Sequence, residues 1–327
     1  MIRVPDVLRI QEDLQASTPE IPLALSRAGV SGVQKAIRIC RGDAQTVMAA
    51  VIDCTVDLAV DQKGVHMSRF PELFEEAIDL VVGREALLVE LLAEHIATRI
   101  VERQRALRAE VHIRAQWPIR RRTPVTGLAT QDMVTLCGIA AASPDNGTRR
   151  VVGVEANGIN ACPCAQGLVR NHATERLLEA GFASGDIERI FELVPIATHN
   201  QRGRGTLYVG SDEDLDAELL VGIVERSMSA PIYDLLKRPD ELFVVEHAHL
   251  QPRFVEDSVR HALSDALEAL PQLDDGDFLL SRQVNLETIH THDVLAERHG
   301  TVGELRTELR TGEASPQQTT LVDWLAS

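Results

Sequence analysis

Apolar and polar side chains alternate most cleanly between Ile52 and Val60. Ile52, Cys54, Val56, Leu58 and Val60 fall on one side of an extended chain, with Asp53, Thr55, Asp57 and Ala59 on the other. A period of two is the signature of a half-buried strand. Residues 109–117 repeat it, Ala109, Val111, Ile113, Ala115 and Trp117 alternating with Glu110, His112, Arg114 and Gln116. The stretch from Val33 to Cys40 reads as extended, and a weaker strand is expected over about 130–141. Between these strands the period lengthens. Pro71 suits a helix start, and Glu72, Glu75 and Glu76 sit in the first turns, where the helix dipole favours acids. A second helix is expected from about Arg84 to Arg103, with Leu88, Leu91, Leu92, Ile96 and Ile100 along one face. Ser143-Pro144-Asp145-Asn146-Gly147 is a turn cluster and the expected domain boundary.

The same order returns beyond it. Strands are expected at 150–161 and near 191–210, and a helix at about 214–228 with Leu215, Leu219, Leu220, Ile223 and Val224 on one side. Pro252 opens a helix over about 252–270, and strands at 278–289 and 301–309 close the unit. The pattern is β-β-α-α-β-β twice, with residues 165–190 inserted as a helical excursion. The expected organisation is an N-terminal arm (1–30), a first unit (31–145) and a second unit (146–327). Antiparallel sheets with paired helices on one face make an α+β chain. Open sheet edges must be covered or paired, which predicts a homo-oligomer.

Composition narrows the classes. The chain has 327 residues, room for about two domains. No apolar run is long enough for a membrane helix, and Met1-Ile2-Arg3-Val4-Pro5-Asp6 lacks the apolar core of a secretion signal. Five cysteines, at 40, 54, 137, 162 and 164, make no disulfide framework. The expectation is a soluble cytoplasmic protein with no membrane partner. A net charge of −16 disfavours nucleic acid as a partner. Lys35, Lys63 and Lys237 are the only lysines, and arginine supplies the remaining cations. Acid excess with scarce lysine fits a protein from a high-salt cytoplasm, where salt screens self-repulsion. A GC-rich genome would equally favour arginine.

Thiols stay reduced in such a compartment. Cys162-Pro163-Cys164, after the run Val151-Val152-Gly153-Val154, is therefore a candidate for metal ligation or nucleophilic chemistry. A small residue pair ending a strand is the plain alternative. His199 lies between two extended segments, as a ligand or as a structural histidine. Lys237-Arg238-Pro239-Asp240-Glu241 reads by default as a solvated charged turn. Glu256 falls in the first turn of a Pro-started helix, where an acid also simply offsets the dipole. The densest titratable run is Glu287-Thr288-Ile289-His290-Thr291-His292-Asp293. Glu287 and His290 would point to opposite faces of a straight strand, so joint action requires a bulge or strand end between them. His290 and His292 share a strand face and could instead form a polar edge. Thiolate, imidazole and carboxylate suit a divalent metal, and three protein ligands leave a position for water. The metal lowers that water's pKa towards about 7, and a nearby Glu and His can move protons. Chemistry alone gives metal-assisted hydrolysis of an unassigned substrate.

Six stretches then occur in one order: Gly64-Val65-His66-Met67-Ser68-Arg69-Phe70, Cys162-Pro163-Cys164, His199-Asn200-Gln201-Arg202, Leu236-Lys237-Arg238-Pro239-Asp240-Glu241, Phe254-Val255-Glu256-Asp257 and Val284-Asn285-Leu286-Glu287-Thr288-Ile289-His290. Over roughly residues 30–295 the chain resembles the type IB GTP cyclohydrolases, most closely the archaeal MptA branch. The resemblance implies a tunnelling fold (T-fold), with two tandem β-β-α-α-β-β units per subunit and a barrel completed by oligomerisation. It implies hydrolysis of GTP at C8 of guanine with loss of formate. The archaeal branch yields 7,8-dihydroneopterin 2′,3′-cyclic phosphate and diphosphate; the bacterial branch yields dihydroneopterin triphosphate. Carried over by motif, Cys162, His199 and Glu241 would hold the metal, expected to be Fe(II), with Zn(II) or Mn(II) possible. Glu287 and His290 would transfer protons beside it. Glu256 would anchor the purine, since a carboxylate can accept from both N1–H and the exocyclic amine of guanine. His66, Ser68 and Arg69 would line the substrate pocket, and Arg69, Arg202 and Lys237 would face the triphosphate. Two departures favour the archaeal branch. Ala165-Gln166 stand where bacterial members usually have Ser-Lys, and the 165–190 excursion separates the cysteines from His199.

Overall fold

The computed structural model describes residues 14–41, 44–82 and 88–327. The chain forms two compact units, residues 1–114 with 138–150 and residues 115–137 with 151–327. The turn at 144–146 joins two strands within the first unit, so it is a hairpin tip where the sequence suggested a boundary.

In the first unit, β1 (Leu25–Arg41) and β2 (Ala44–Leu58) pair antiparallel. Residues 25–30, expected in the arm, are thus strand; residues 1–13 of that arm lie outside the described residues. The register slips between Val30 and Val33. Gly32 sits there at φ 71°, and its N–H donates to Asp53 Oδ1 at 2.7 Å. A glycine in the left-handed region lets a strand absorb the extra residue of a bulge. Helices α1 (Arg69–Val82) and α2 (Val89–Gln104) pack on each other, α1 against β1 and α2 against β2. The expected start of α2 near Arg84 falls outside the described residues. The alternation read from sequence buries Ile52, Cys54, Val56 and Leu58, with Phe70, Leu73 and Phe74 of α1 and Leu92, Ile96 and Ile100 of α2 also buried. Val60 lies beyond the end of β2 and is exposed.

Three long strands follow, β3 (Ala109–Arg122), β4 (Ala129–Ser143) and β5 (Gly147–Ala161). In the second unit the insertion folds as α3 (Pro163–Glu179) and α4 (Ser184–Leu193). No side chain of α3 is buried. Next come β6 (Asn200–Gly210), α5 (Ala217–Arg226), β7 (Ala230–Pro231), α6 (Arg238–Leu250), α7 (Val255–Ala269), β8 (Phe278–Leu286), β9 (Val294–Thr301), α8 (Val302–Thr311) and α9 (Leu321–Ala326). The hydrogen-bonded strand order is β1-β2-β3-β4-β5-β6-β8-β9, with β7 on β5. The architecture is α+β with an antiparallel sheet.

Three expectations fail in the second unit. The strand near 191–210 begins only at Asn200, because α4 runs to Leu193. Residues 302–311 are helix, not strand. Thr301 Oγ accepts the Glu304 N–H and Glu304 Oε2 accepts the Thr301 N–H, each at 3.2 Å. That capping box starts α8, and Val302 and Leu305 are buried on its inner side. Finally, three helices rather than two lie between β6 and β8, since α6 replaces the expected solvated turn.

Candidate active site

The β5–β6 ladder ends on Asn160↔Gln201 and Ala161↔Asn200. Just past it, Cys162 N–H donates to the His199 carbonyl at 3.1 Å, and Thr198 Oγ–H donates to the Cys162 carbonyl at 2.9 Å. The pairing of two strands therefore places Cys162 beside His199 although 36 residues, 163–198, lie between them in the chain. Cys162 is the N-cap of α3, and Pro163 suits the first helical position because its φ is preset and it has no N–H to leave unpaired. The half-buried Cys162 Sγ accepts from Ala165 N–H at 3.5 Å, where a helix start presents its free N–H groups. Cys164, the second residue of the helix, is exposed.

The β6–β8 ladder brings the third element. Arg202 pairs with Leu286, the last residue of β8, so Glu287 emerges beside His199. Glu287 Oε2 lies 3.8 Å from His199 Nδ1. Thr288 Oγ–H fastens the turn by donating to the Asn200 carbonyl at 3.2 Å. His199 Nδ1 also faces Gln201 Oε1 at 3.1 Å. An amide oxygen only accepts, so this contact favours the tautomer with the proton on Nδ1, which leaves Nε2 free to act as a ligand. Such a partner is what orients a metal-ligating imidazole. The Glu287 side chain is 6% exposed, and its Oε2 is buried without a hydrogen bond. A carboxylate oxygen so placed is costly unless a cation or proton meets it.

Thiol, free imidazole nitrogen and unsatisfied carboxylate are donors whose chemistry fits a divalent cation. Among the described residues, however, no three His, Cys, Asp or Glu side chains converge as a metal-holding group. Glu241, the third ligand implied by motif, is exposed in the first turn of α6.

That turn is more ordered than its sequence suggested. Asp240 is fully buried. Its carboxylate accepts from Val125 N–H at 2.9 Å, Thr126 N–H at 2.8 Å, Thr126 Oγ–H at 2.7 Å and Lys237 N–H at 3.0 Å. Burial alone raises its pKa, but these donors overcome that and hold it well below the usual carboxylate range. Asp240 thereby fixes the start of α6 to the β3–β4 turn, with Lys237 and Glu241 on its exposed side. The signal was present: Pro239 at the second helical position and an acid one residue later is a helix-start pattern.

The remaining motif residues are spread out. Glu256 is exposed in the first turn of α7, beside Asp257, whose Oδ2 accepts the Phe254 N–H at 3.1 Å. Arg202 is exposed on β6 and lines a cavity of about 420 Å³ with Arg121, Asp132, Asn157 and Tyr233. His290 lies in the exposed segment 288–293, its ring stacked on His292 at 5.2 Å. The strand ends at Leu286, before both Glu287 and His290 rather than between them as expected, and His290 and His292 do not share a strand face. His66, Ser68 and Arg69 belong to the first unit, where Arg69 begins α1 and donates to the Arg103 carbonyl at 2.9 Å. Sequence reasoning missed the supporting residues. Gln201 orients His199. Gln166 donates to the Ile196 and His249 carbonyls at 2.8 and 2.7 Å, tying the start of α3 to the approach to His199. No described helix is long and apolar enough to cross a membrane.

Known proteins resemble this chain in fold and in sequence. A uricase structure from Arthrobacter globiformis superposes with a TM-score of 0.50 at 9% identity, covering 91% of this chain and 98% of that one. At that identity the likeness speaks to fold alone. The chain is similar to the GTP cyclohydrolase MptA of Methanococcus aeolicus, 38% identical over 306 residues that cover 91% of this chain and 99% of the relative. It is similarly related to the GTP cyclohydrolase MptA of Methanosarcina acetivorans, 39% identical over 307 residues covering 91% and 96%. The sequence profile described as type I GTP cyclohydrolase folE2 matches residues 11–296. With Cys162, His199 and Glu287 gathered at adjoining strand ends, and with this match across most of its length, the chain belongs to the type I GTP cyclohydrolase family.

Proposed function

We propose that the protein is a metal-dependent, cytoplasmic GTP cyclohydrolase. It hydrolyses the guanine imidazole ring at C8, releases that carbon as formate and closes the pterin ring. Attack of the opened side chain's 2′-hydroxyl, the former ribose C4′ oxygen freed when the sugar ring opens, on the α-phosphorus expels diphosphate and gives 7,8-dihydroneopterin 2′,3′-cyclic phosphate, a precursor for methanopterin- or folate-type pterins. The observation that carries this reading is the buried, unsatisfied Glu287 carboxylate 3.8 Å from an imidazole that is itself oriented by Gln201. Relatives named GTP cyclohydrolase MptA at 38% and 39% identity supply the substrate and the branch.

Cys162, His199 and Glu241 would hold a divalent ion, Fe(II) first and Zn(II) or Mn(II) as alternatives. Such an ion supplies Lewis acidity that lowers a water's pKa towards about 7. The chain's own groups do the rest. Gln201 orients the His199 ring so that Nε2 is the nitrogen presented to the ion. Glu287 Oε2 accepts a proton from the attacking water, and His290 returns one to the opened ring nitrogen. Glu256 accepts from N1–H and the exocyclic amine, which selects guanine over adenine. By motif, Arg202 and Lys237 would contact the triphosphate, and His66, Ser68 and Arg69 would line a neighbouring subunit's pocket. The sheet would belong to a tunnelling fold whose barrel is completed in a homo-oligomer, a dimer or tetramer, with the second unit departing from β-β-α-α-β-β by the extra helix α6.

The test is metal-free protein incubated anaerobically with GTP and Fe(II), Zn(II) or Mn(II) in turn, with phosphorus NMR of the product. Cyclic phosphate plus diphosphate is expected. A pterin triphosphate would move the protein to the bacterial-type reaction. Unchanged GTP with every metal, from protein that still binds it, would leave a nucleotide-binding oligomer.

A further inference from the structure

Beneath the site lies a buried amide that none of the chemistry above uses. Asn160 is fully buried on β5, two residues before Cys162. Its four side-chain contacts leave no choice of orientation. Ser229 N–H can only donate, so the Asn160 atom 3.2 Å from it is the oxygen. The NH₂ group then donates to Ser258 Oγ at 3.1 Å and to Asn285 Oδ1 at 2.9 Å. Ser258 Oγ returns a long contact to the Asn160 oxygen at 3.5 Å. Asn285 Oδ1 also accepts from Gln283 Nε2 at 3.1 Å, which fixes its orientation. Ser229 Oγ accepts the Ala161 N–H at 3.1 Å, closing the ring back on β5.

The addresses of these partners are informative. Ser258 is in the first turn of α7, two residues after Glu256. Asn285 is the penultimate residue of β8, two residues before Glu287. Both are buried, at 1% and 2% exposure. One amide thus joins three chain segments distant in sequence, and each carries a motif residue two positions away. β6 makes room for the assembly. A Cβ on Gly203 would lie 2.4 Å from Gln283 Nε2 and 3.3 Å from Asn285 Oδ1, and one on Gly205 would lie 2.8 Å from Gln283 Oε1. Apolar packing would fill such a space without directional demands, whereas a satisfied polar network permits one arrangement of the elements it joins.

We propose that Asn160 is a positioning residue for the reaction, setting Cys162, Glu256 and Glu287 in register from below. Its reference to catalysis rests on the function proposed above; the mechanical link does not. The variants are Asn160→Ala, Ser258→Ala and Asn285→Ala, with Val209→Ala, a buried β6 residue outside the network, as a control for lost stability. Two readouts are taken. In hydrogen exchange, Asn160→Ala should lose protection together at 161–165, 255–259 and 285–288, whereas Val209→Ala should not. In steady-state kinetics below the melting temperature, Ser258→Ala should mainly raise KM for GTP, about tenfold, through Glu256. Asn285→Ala should mainly lower kcat, about tenfold, through Glu287, and Asn160→Ala should do both. Exchange confined to the substituted strand, or kinetic constants like those of Val209→Ala, would overturn the proposal. A wild-type protein that released no formate from GTP would instead sink the cyclohydrolase reading, while the exchange data would still decide whether Asn160 couples the three segments.

Discussion

Substituting Glu110 by glutamine should remove a pH-dependent share of the first unit's stability. Glu110 projects from β3 and its side chain is only 4% exposed, yet two arginines and a histidine surround it. Arg27 pairs with Oε1, His112 Nε2 lies 2.7 Å from the same oxygen, and Arg108 lies 2.9 Å from Oε2. Burial pushes the carboxyl pKa up. The His112 hydrogen bond and charge, with the two guanidinium groups, more than offset this and bring it from 4.5 to about 2. A gap of 4.5 − 2, at 1.36 kcal/mol per unit, corresponds to about 3 kcal/mol. The sign follows from a folded pKa below the unfolded one: the contribution is complete above about pH 4.5 and is lost as pH falls through about 2. The assay is urea unfolding of wild type and Glu110→Gln from neutral pH downward. The difference between them should be about 3 kcal/mol at neutral pH and should shrink steadily below about pH 4.5. A difference independent of pH, or one that grew on acidification, would refute the reasoning.

Other perturbations test other parts of the account. Glu287→Gln should lower kcat by about 10²–10⁴ with little change in KM, whereas Glu256→Gln should chiefly raise KM for GTP; equal effects of both on kcat alone would contradict the assigned roles. Gly203→Ala should cost roughly 1–3 kcal/mol in chemical unfolding, because its Cβ would meet Gln283 Nε2 at 2.4 Å and Met228 Sδ at 2.9 Å; wild-type stability would show that those side chains yield freely. Trp324→Ala should destabilise by about 3–5 kcal/mol. The indole N–H of this buried residue donates to the Gly276 carbonyl at 2.8 Å and its ring lies 5.8 Å from Phe278, so a small effect on melting would mean that α9 is not part of the core.

What the sequence disclosed, and what it hid, follows from the range of the forces involved. The strand from Ile52 to Leu58 was legible because one face is buried and the other is not, so the period of two survives in the residue types. Helix α6 was not. It buries only Asp240, Val244 and Ala248 while Leu242, Phe243 and Val245 are exposed, so no apolar stripe of period 3.6 announces it. Helix α8 was misread as a strand because its start depends on a capping box, which alternation cannot reveal. The site shows the same division. Cys162, His199 and Glu287 could be named as chemistry-bearing types in an ordered set of motifs. The residues that position them could not, since Gln201, Asp240 and Asn160 act through partners that only the strand register and helix packing bring near. Buried amides and a buried aspartate look, in a sequence, like any surface polar residue.

The most direct test of the central claim follows the carbon that the reaction removes. Wild-type protein, reconstituted anaerobically with Fe(II) in high salt, would be given GTP labelled with carbon-13 at C8 and followed by carbon NMR. The account predicts that the C8 resonance is replaced by that of free formate at the rate at which pterin fluorescence appears, and that Cys162→Ala abolishes both. Persistence of the C8 signal while GTP is consumed, or label retained in the nucleotide product, would contradict it.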